Sequence, residues 1–413
     1  FGLPIAIKDN IVTKDLRTTA ASRILEDFIP IYDATVITKI KDKNMIIIGK
    51  TNMDEFAMGS TGETSYFGNT LNPWNNSLIP GGSSSGSAAC VAARITPFSL
   101  GTDTGGSIRQ PSSFCGLVGL KPTYGRVSRY GVIAFASSLD QVGPITRNVY
   151  ENALLLNAIS GYDKNDLTSS SEIVKDYTSL IGQDIANLKI AIPNYYMSDV
   201  IDSEIRSNIA KIIELLKNKG CQIDYVDISY LEYAIPLYQV IALGEASSNL
   251  ARYDGVRYGL KIDDFKNIDQ LYKQTRTLGF GNEVKRRIMI GSHILSGENA
   301  QIYYYKALKL RRAMTDSFKD CLAKYDLIIG PTNTDVAYKL GTKQDDALKS
   351  FYDDLLTIPV NMAGLPALSL PIGFKGKLPI GMQIIGNYFE EDKIYQLASY
   401  LEKELAIFSK EGK

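Results

Sequence analysis

Two glycine-rich, serine-bearing turns lie close together in a chain with almost no histidine. Gly81-Gly82-Ser83-Ser84-Ser85-Gly86-Ser87 is followed by Gly105-Gly106-Ser107-Ile108-Arg109, and His293 is the sole histidine among 413 residues. Glycine lets a backbone approach a neighbour closely and adopt dihedrals closed to other residues. The first tract does not read as a flexible linker. It runs into Ala88-Ala89-Cys90-Val91-Ala92-Ala93, small helix-forming residues that suit a helix packed tightly beneath a loop. Residues 80–131 are rich in Gly, Ser, Thr and Ala and poor in charge, whereas 160–235 and 255–325 are charged and helix-like. The first region reads as a central site and the others as its cover.

Outside that region, short apolar runs alternate with amphipathic segments. A β-like run from Phe1 to Lys8 comes first, and Met45-Ile46-Ile47-Ile48 follows a helix-like stretch from Ala34 to Lys43. Leu188–Ile192 precedes a helix in which Ile205, Ile209, Ile212, Ile213 and Leu216 recur at three and four residues, with Gly220 as a stop signal. Strands are expected at Gln222–Ile228, Asp326–Ile329, Ala367–Ile372 and Met382–Ile385, with a long helix over 299–323. This alternation predicts an α/β fold, a mixed and mainly parallel sheet with helices on both faces. No internal repeat divides the chain, so residues 1–413 are expected to form a single large domain. Because the chain starts inside a β-like run, further sequence is expected upstream.

Attack by a serine on an amide carbonyl needs a base, oxyanion donors and a proton for the departing amine. Serine ordinarily takes histidine as its base, which this composition disfavours. Lys8, between the apolar strand positions Ile5 and Ile7 and Asp9-Asn10, is the alternative. A lysine acts as a base only when neutral. Bringing its pKa from roughly 10.4 to near 7 takes roughly 4 kcal/mol of desolvation and positive neighbours. Ser107 would be the nucleophile. Ser83 would relay its proton to Lys8, because a hydroxyl both donates and accepts. Thr104, Gly105 and Gly106 would supply oxyanion donors. Taken alone, Lys8 would be an ordinary strand-end lysine; the two serine turns together reverse that reading.

Competing readings fare worse. Gly82-x-Ser84-x-Gly86 matches a nucleophile elbow with His293 as base, but Ser77-Leu78-Ile79-Pro80 is too short and broken for the buried strand an elbow requires. Gly49-Lys50-Thr51 resembles a phosphate-binding loop, yet Asn44 stands where the first glycine belongs. Cys90, Cys115, Cys221 and Cys321 lack metal-ligand spacing, so free thiols in a reducing compartment are expected and a zinc site is not. Lys plus Arg and Asp plus Glu both number 45, which gives no long-range attraction to nucleic acid. No apolar run reaches the roughly 18 residues of a membrane span, and no secretory signal is visible.

The motifs together resemble the amidase signature family. The resemblance rests on Gly81–Ser87, on Gly101-Thr102-Asp103-Thr104-Gly105-Gly106-Ser107-Ile108-Arg109-Gln110-Pro111 and on Cys115-Gly116-Leu117-Val118-Gly119-Leu120-Lys121-Pro122-Thr123. It extends over essentially the whole chain. It implies the amidase-signature fold and a Ser–cis-Ser–Lys triad of Ser107, Ser83 and Lys8, with the cis bond before Ser83. The family's usual N-terminal helical segment would lie upstream of Phe1.

Within the family, Tyr124–Gly131, Ala134–Gln141, Glu245–Gly255 and Glu283–Ile288 are similar to glutamine-hydrolysing members that serve tRNA-dependent amidotransferases. That likeness implies a tRNA-binding partner subunit that receives ammonia and uses ATP and Mg²⁺, a small third subunit, and no cofactor in this chain. It implies contact with tRNA mainly through the partner, a cytoplasmic or organelle-matrix location, and either the glutamine or the asparagine tRNA. It places the α-carboxylate of glutamine on Arg287 (Arg286 is adjacent), the α-ammonium on Asp354 and the Tyr238 hydroxyl in the pocket. Without the likeness, these three read as surface or packing residues. Ser85 departs from the family's usual glycine. The alternatives are a stand-alone amidase for small amides and a non-catalytic scaffold.

Overall fold

Side-chain alternation along one strand shows how the molecule is layered. In β10 (Leu378–Gly386) the space above Gly381 is filled by Ser113, and Gln383 accepts a hydrogen bond from Arg109; both partners lie on the helix Arg109–Cys115. Gly386 instead faces Ile394 of the helix Glu391–Leu405. Odd and even positions of a strand point to opposite faces, so helices cover both sides of the sheet. The computed structural model describes residues 2–342 and 352–407.

Among the described residues, one 10-stranded sheet organises a large α/β domain. The remaining strands are β1 (Pro4–Lys8), β2 (Ile46–Thr51), β3 (Phe98–Asp103), β4 (Val118–Lys121), β5 (Gln141–Thr146), β6 (Lys189–Pro193), β7 (Gln222–Val226), β8 (Leu327–Pro331) and β9 (Ala367–Lys375). Their order is β2-β1-β3-β5-β4-β9-β10-β8-β6-β7. The mixed sheet agrees with expectation, but parallel pairing does not dominate it. The pairs β2–β1, β1–β3, β8–β6 and β6–β7 on the two flanks are parallel. The five central pairs, from β3–β5 to β10–β8, are antiparallel. One cause is the connection between β9 and β10, which has only Gly376 and Lys377 between the strand ends; so short a link joins only antiparallel neighbours.

The expected helix around Ile205 spans Ser203–Asn218, and its five periodic apolar residues are buried. Asp202 caps its N-terminus by accepting from the N–H groups of Glu204 and Ile205. The long helix expected over 299–323 is a π-turn at Ala300–Tyr304 leading into Tyr305–Leu322. The parallel register Ile7↔Leu100 brings the carboxyl ends of β1 and β3 side by side. Lys8 therefore ends one strand beside the other, which leads into the turn of Thr104 to Ser107. Crevices at the carboxyl ends of strands are where open α/β sheets place their sites.

Candidate active site

Lys8 has no solvent exposure. Its Nζ lies 2.8 Å from Ser83 Oγ, 2.9 Å from Ser84 Oγ, 2.8 Å from Thr102 Oγ1 and 3.2 Å from Thr102 O. Four oxygens surround a nitrogen that has at most three N–H donors, so when the amine is neutral one hydroxyl can donate to it instead. Burial lowers the Lys8 pKa from 10.5 to about 7, against the opposing charges of Asp54, Asp103 and Asp140. The expectation of positive neighbours is thus corrected: the surrounding charges are carboxylates, and desolvation alone carries the shift.

The peptide Gly82–Ser83 is cis. Its loop is held from several sides. Gly82 N–H donates to Gln110 Oε1 at 2.8 Å, and Ser83 O accepts from Asp54 N–H at 3.2 Å. Ser85, the departure from the family pattern, is buried and shares a 3.1 Å hydrogen bond with Thr70. Ser107 O accepts from Ser84 N–H at 3.2 Å, which ties the two serine turns together. Ser107 is only 7% exposed. Among the described residues its hydroxyl makes no hydrogen bond, whereas Ser83 is already joined to Lys8. The structure thus brings the three residues into one buried locus, with the lysine-to-serine link formed and the serine-to-serine link unformed. Links of this kind commonly tighten only when substrate binds.

The turn between β3 and Ser107 is fixed by a buried ion pair that sequence reasoning missed. Arg109 Nε and Nη2 donate to the two oxygens of Asp103, each at 3.0 Å, and both side chains are fully buried. Asn361 Nδ2 donates to Asp103 Oδ1 at 2.8 Å, and Arg109 Nη1 donates to Thr357 O at 3.1 Å. Burial pushes the Asp103 pKa up, but the Arg109 charge and hydrogen bonds outweigh it and hold the group at about 2. Thr104 Oγ1 donates to Asp140 at 2.7 Å, so its side chain anchors the turn. The N–H groups of Gly105, Gly106 and Ser107 donate to no protein group among the described residues, leaving them available to an incoming oxygen.

What faces the two glycines leaves little room beside them. A Cβ on Gly105 would sit 3.0 Å from Tyr238 ring carbons, and one on Gly106 (φ +146) would collide with Thr357 Oγ1 and come within 2.8 Å of Asp354 Oδ1. Tyr238 and Asp354 therefore border the turn. The Tyr238 ring meets Phe135 edge-on at 6.5 Å, and the Arg287 guanidinium lies 5.6 Å from the same Phe135 ring. Of the neighbouring arginines, Arg287 is the inward one: its side chain is 13% exposed against 45% for Arg286. Glu283 accepts from both. Asp354 thus borders the glycine turn, while Arg287 lies against the Phe135 ring that packs on Tyr238. His293 is exposed near the end of the helix Asn282–Leu295 and bonds neither serine turn.

Sequence reasoning missed Ser84, Thr102, Asp103, Arg109 and Asp140 as structural members of this locus. Only the quoted Gly101–Pro111 motif contained a signal for Thr102, Asp103 and Arg109. Nothing in the spacing pointed to Lys8 beside Thr102, which depends on strand register.

A lysine beneath paired serines, on a mixed sheet of this order, is the architecture of an amide-cleaving class. The family profile described as Amidase matches residues 1–395, and the chain belongs to that family. It is 55% identical over 403 residues to the A subunit of the glutamyl-tRNA(Gln) amidotransferase of Bacillus licheniformis, covering 98% of this chain and 83% of the relative. The crystal structure of the Thermotoga maritima protein of the same description superposes with a TM-score of 0.84 at 45% identity, covering 97% of this chain and 83% of that one. Allophanate hydrolase of Kluyveromyces lactis is more distant, with a TM-score of 0.82 at 31% identity over 98% of this chain and 62% of its own.

Proposed function

We propose that this chain is the amidase subunit of a glutamyl-tRNA(Gln) amidotransferase and releases ammonia from glutamine. The observation that carries the chemistry is the fully buried Lys8, 2.8 Å from Ser83 and beneath the Ser107 turn. With a pKa of about 7, a substantial share of Lys8 is neutral near pH 7 and can draw the Ser107 proton through Ser83. Ser107 Oγ then bonds to the carboxamide carbon. The N–H groups of the glycine turn stabilise the resulting oxyanion, an effect worth about 3–4 kcal/mol per well-placed donor. As the tetrahedral intermediate collapses, the carbon–nitrogen bond breaks and the proton returns by the same path to the departing nitrogen. Water attacks the acyl-enzyme with the proton flow repeated, and glutamate leaves.

Arg287 pairs with the α-carboxylate of glutamine and Asp354 with its α-ammonium, while Tyr238 lines the space between them. A charge pair of this kind selects a free amino acid over a neutral amide. The long, highly identical match to amidotransferase subunits supports this reading over a stand-alone amidase. The ammonia passes to a tRNA-binding partner subunit, which would hold the ATP and Mg²⁺ needed to activate the tRNA-bound acid, and the assembly is completed by a small third subunit. A role beside tRNA charging places the chain in the cytoplasm or an organelle matrix. Among the described residues no helix is long and apolar enough to cross a membrane. Brief exposure to glutamine followed by mass spectrometry should find a glutamyl adduct on Ser107, and an adduct elsewhere or none overturns the mechanism. Full turnover of diverse small amides, with no affinity for the tRNA-binding subunit, would overturn the assignment.

A further inference from the structure

Two adjacent acidic residues reach in different directions from one short turn, and neither exchanges a proton or forms a bond in the chemistry above. Asp54 and Glu55 are 0% and 3% exposed. Asp54 serves the Ser83 loop. Its carboxylate accepts from the N–H groups of Gly62 and Thr64 and from the Thr64 hydroxyl at 2.8–3.2 Å, and its own N–H donates to Ser83 O. A Cβ on Gly82 would overlap Asp54 Oδ2, so the carboxylate lies directly against the cis peptide. Glu55 serves a different element. It accepts from Gly281 N–H at 2.9 Å, and Gly281 is the N-cap of the helix Asn282–Leu295 that carries Arg287. Ser22 Oγ holds Glu55 at 2.5 Å and lies 3.2 Å from Gly279 O. The next residue, Phe56, has φ +50, sparsely populated for an aromatic residue. Its ring packs against Tyr253 and Phe280 at 5.0 and 5.6 Å, so the turn is gripped on that side too.

We propose that Asp54 and Glu55 form a strut that ties the register of the Arg287 helix to that of the Ser83 loop, so that the substrate anchor and the proton relay are positioned as one unit. The two are positioning residues, since neither reaches the reacting atoms. A carboxylate at a helix N-terminus satisfies an otherwise unpaired N–H and complements the helix dipole. Removing it frees the first turn of a helix whose second turn bears Arg287. The inference rests on the reading of Arg287 as the carboxylate anchor.

The test measures kcat and KM for glutamine hydrolysis in the assembled enzyme. Glu55→Ala is expected to raise KM about tenfold with kcat within about threefold, whereas Asp54→Asn lowers kcat about tenfold with KM nearly unchanged. Glu55→Gln, which keeps an oxygen acceptor for Gly281 N–H, should restore most of the lost affinity. In the double variant, the loss in kcat/KM should differ from the product of the single losses by at least about threefold. Should Glu55→Ala fail to fold, Ser22→Ala takes its place with an expected KM increase of about threefold. Arg287→Met separates the two levels of the argument. If it leaves KM unchanged, the anchor reading fails. If it raises KM while the Glu55 or Ser22 variant does not, or if the double variant is multiplicative, the strut is overturned.

Discussion

At the residue scale the decisive fact is a lysine whose charge state is set by burial. With Lys8 at about pKa 7, the proposed mechanism runs through its neutral form. Glutamine hydrolysis in the steady state should therefore rise with pH through a midpoint near 7, falling about tenfold per unit on the acid side. A pH–rate profile of kcat/KM checks this, and a flat profile between pH 6 and 8 contradicts it. Lys8→Ala should lose at least about 100-fold in kcat at pH 7, the usual contribution of a general base. Ser107→Ala should abolish the glutamyl adduct. The same residue shows where sequence reading stopped. That Lys8 is a base was argued from the scarcity of histidine and the proximity of two serine turns. That its charged neighbours would be Asp54, Asp103 and Asp140 was invisible, because they and Lys8 come from four separate places in the chain.

At the scale of elements, the glycine turn after β3 depends on what holds β3 to its neighbours. Arg109→Met leaves Asp103 buried without its cation and should cost about 3–5 kcal/mol, measured by denaturant unfolding. A loss below about 1 kcal/mol would show that Asn361 and the N–H groups of Ile108 and Arg109 suffice to hold Asp103. Gly106→Ala combines an unfavourable φ of +146 with a clash against Thr357. It should cost about 1–3 kcal/mol in stability and reduce activity out of proportion to that loss, because the displaced N–H belongs to the proposed oxyanion site. The flanking strands and the helix Ser203–Asn218 were legible, since each has an uninterrupted apolar period. The central strands β3, β4 and β5 were not recognised as strands. They contain Gly101, Gly119, Gly143 and Pro144, residues that read as turns but here let Ser84, Ser112 and the neighbouring strands approach closely.

For the whole molecule, the buried ionisable groups pull stability in opposite directions across neutral pH. Burial lowers the pKa of Lys8 and Lys121 to about 7 and that of Lys50 to about 8. Between those values and 10.5 the unfolded chain binds protons that the folded chain does not, so these lysines make stability fall as pH drops toward 7. Burial raises Glu55 and Glu402 to about 7 and Asp140 to about 6. Below those values the folded chain binds the extra protons, so the carboxylates make stability rise as pH drops further toward their unfolded values. Urea midpoints should accordingly be lowest near pH 7 and higher at both pH 5.5 and pH 9. A single maximum at pH 7 would mean that these groups do not titrate as their burial dictates. At the level of assembly, glutamine hydrolysis should increase when the tRNA-binding subunit is added, as read by glutamate release.

The local pattern was written in the chain itself: which serines sit on glycine turns, which lysine ends an apolar strand, and which helices carry an apolar stripe. These properties depend on residue type and short spacing, which survive without a fold. The antiparallel centre of the sheet, the inward turn of Arg287 beside the outward Arg286 and the bidentate Asp103–Arg109 clamp were decided only in three dimensions. So was the convergence of Tyr238 and Asp354 on one pair of glycines. Each depends on strand register or on contacts between residues far apart in sequence, where pattern carries no information and packing alone selects the partner.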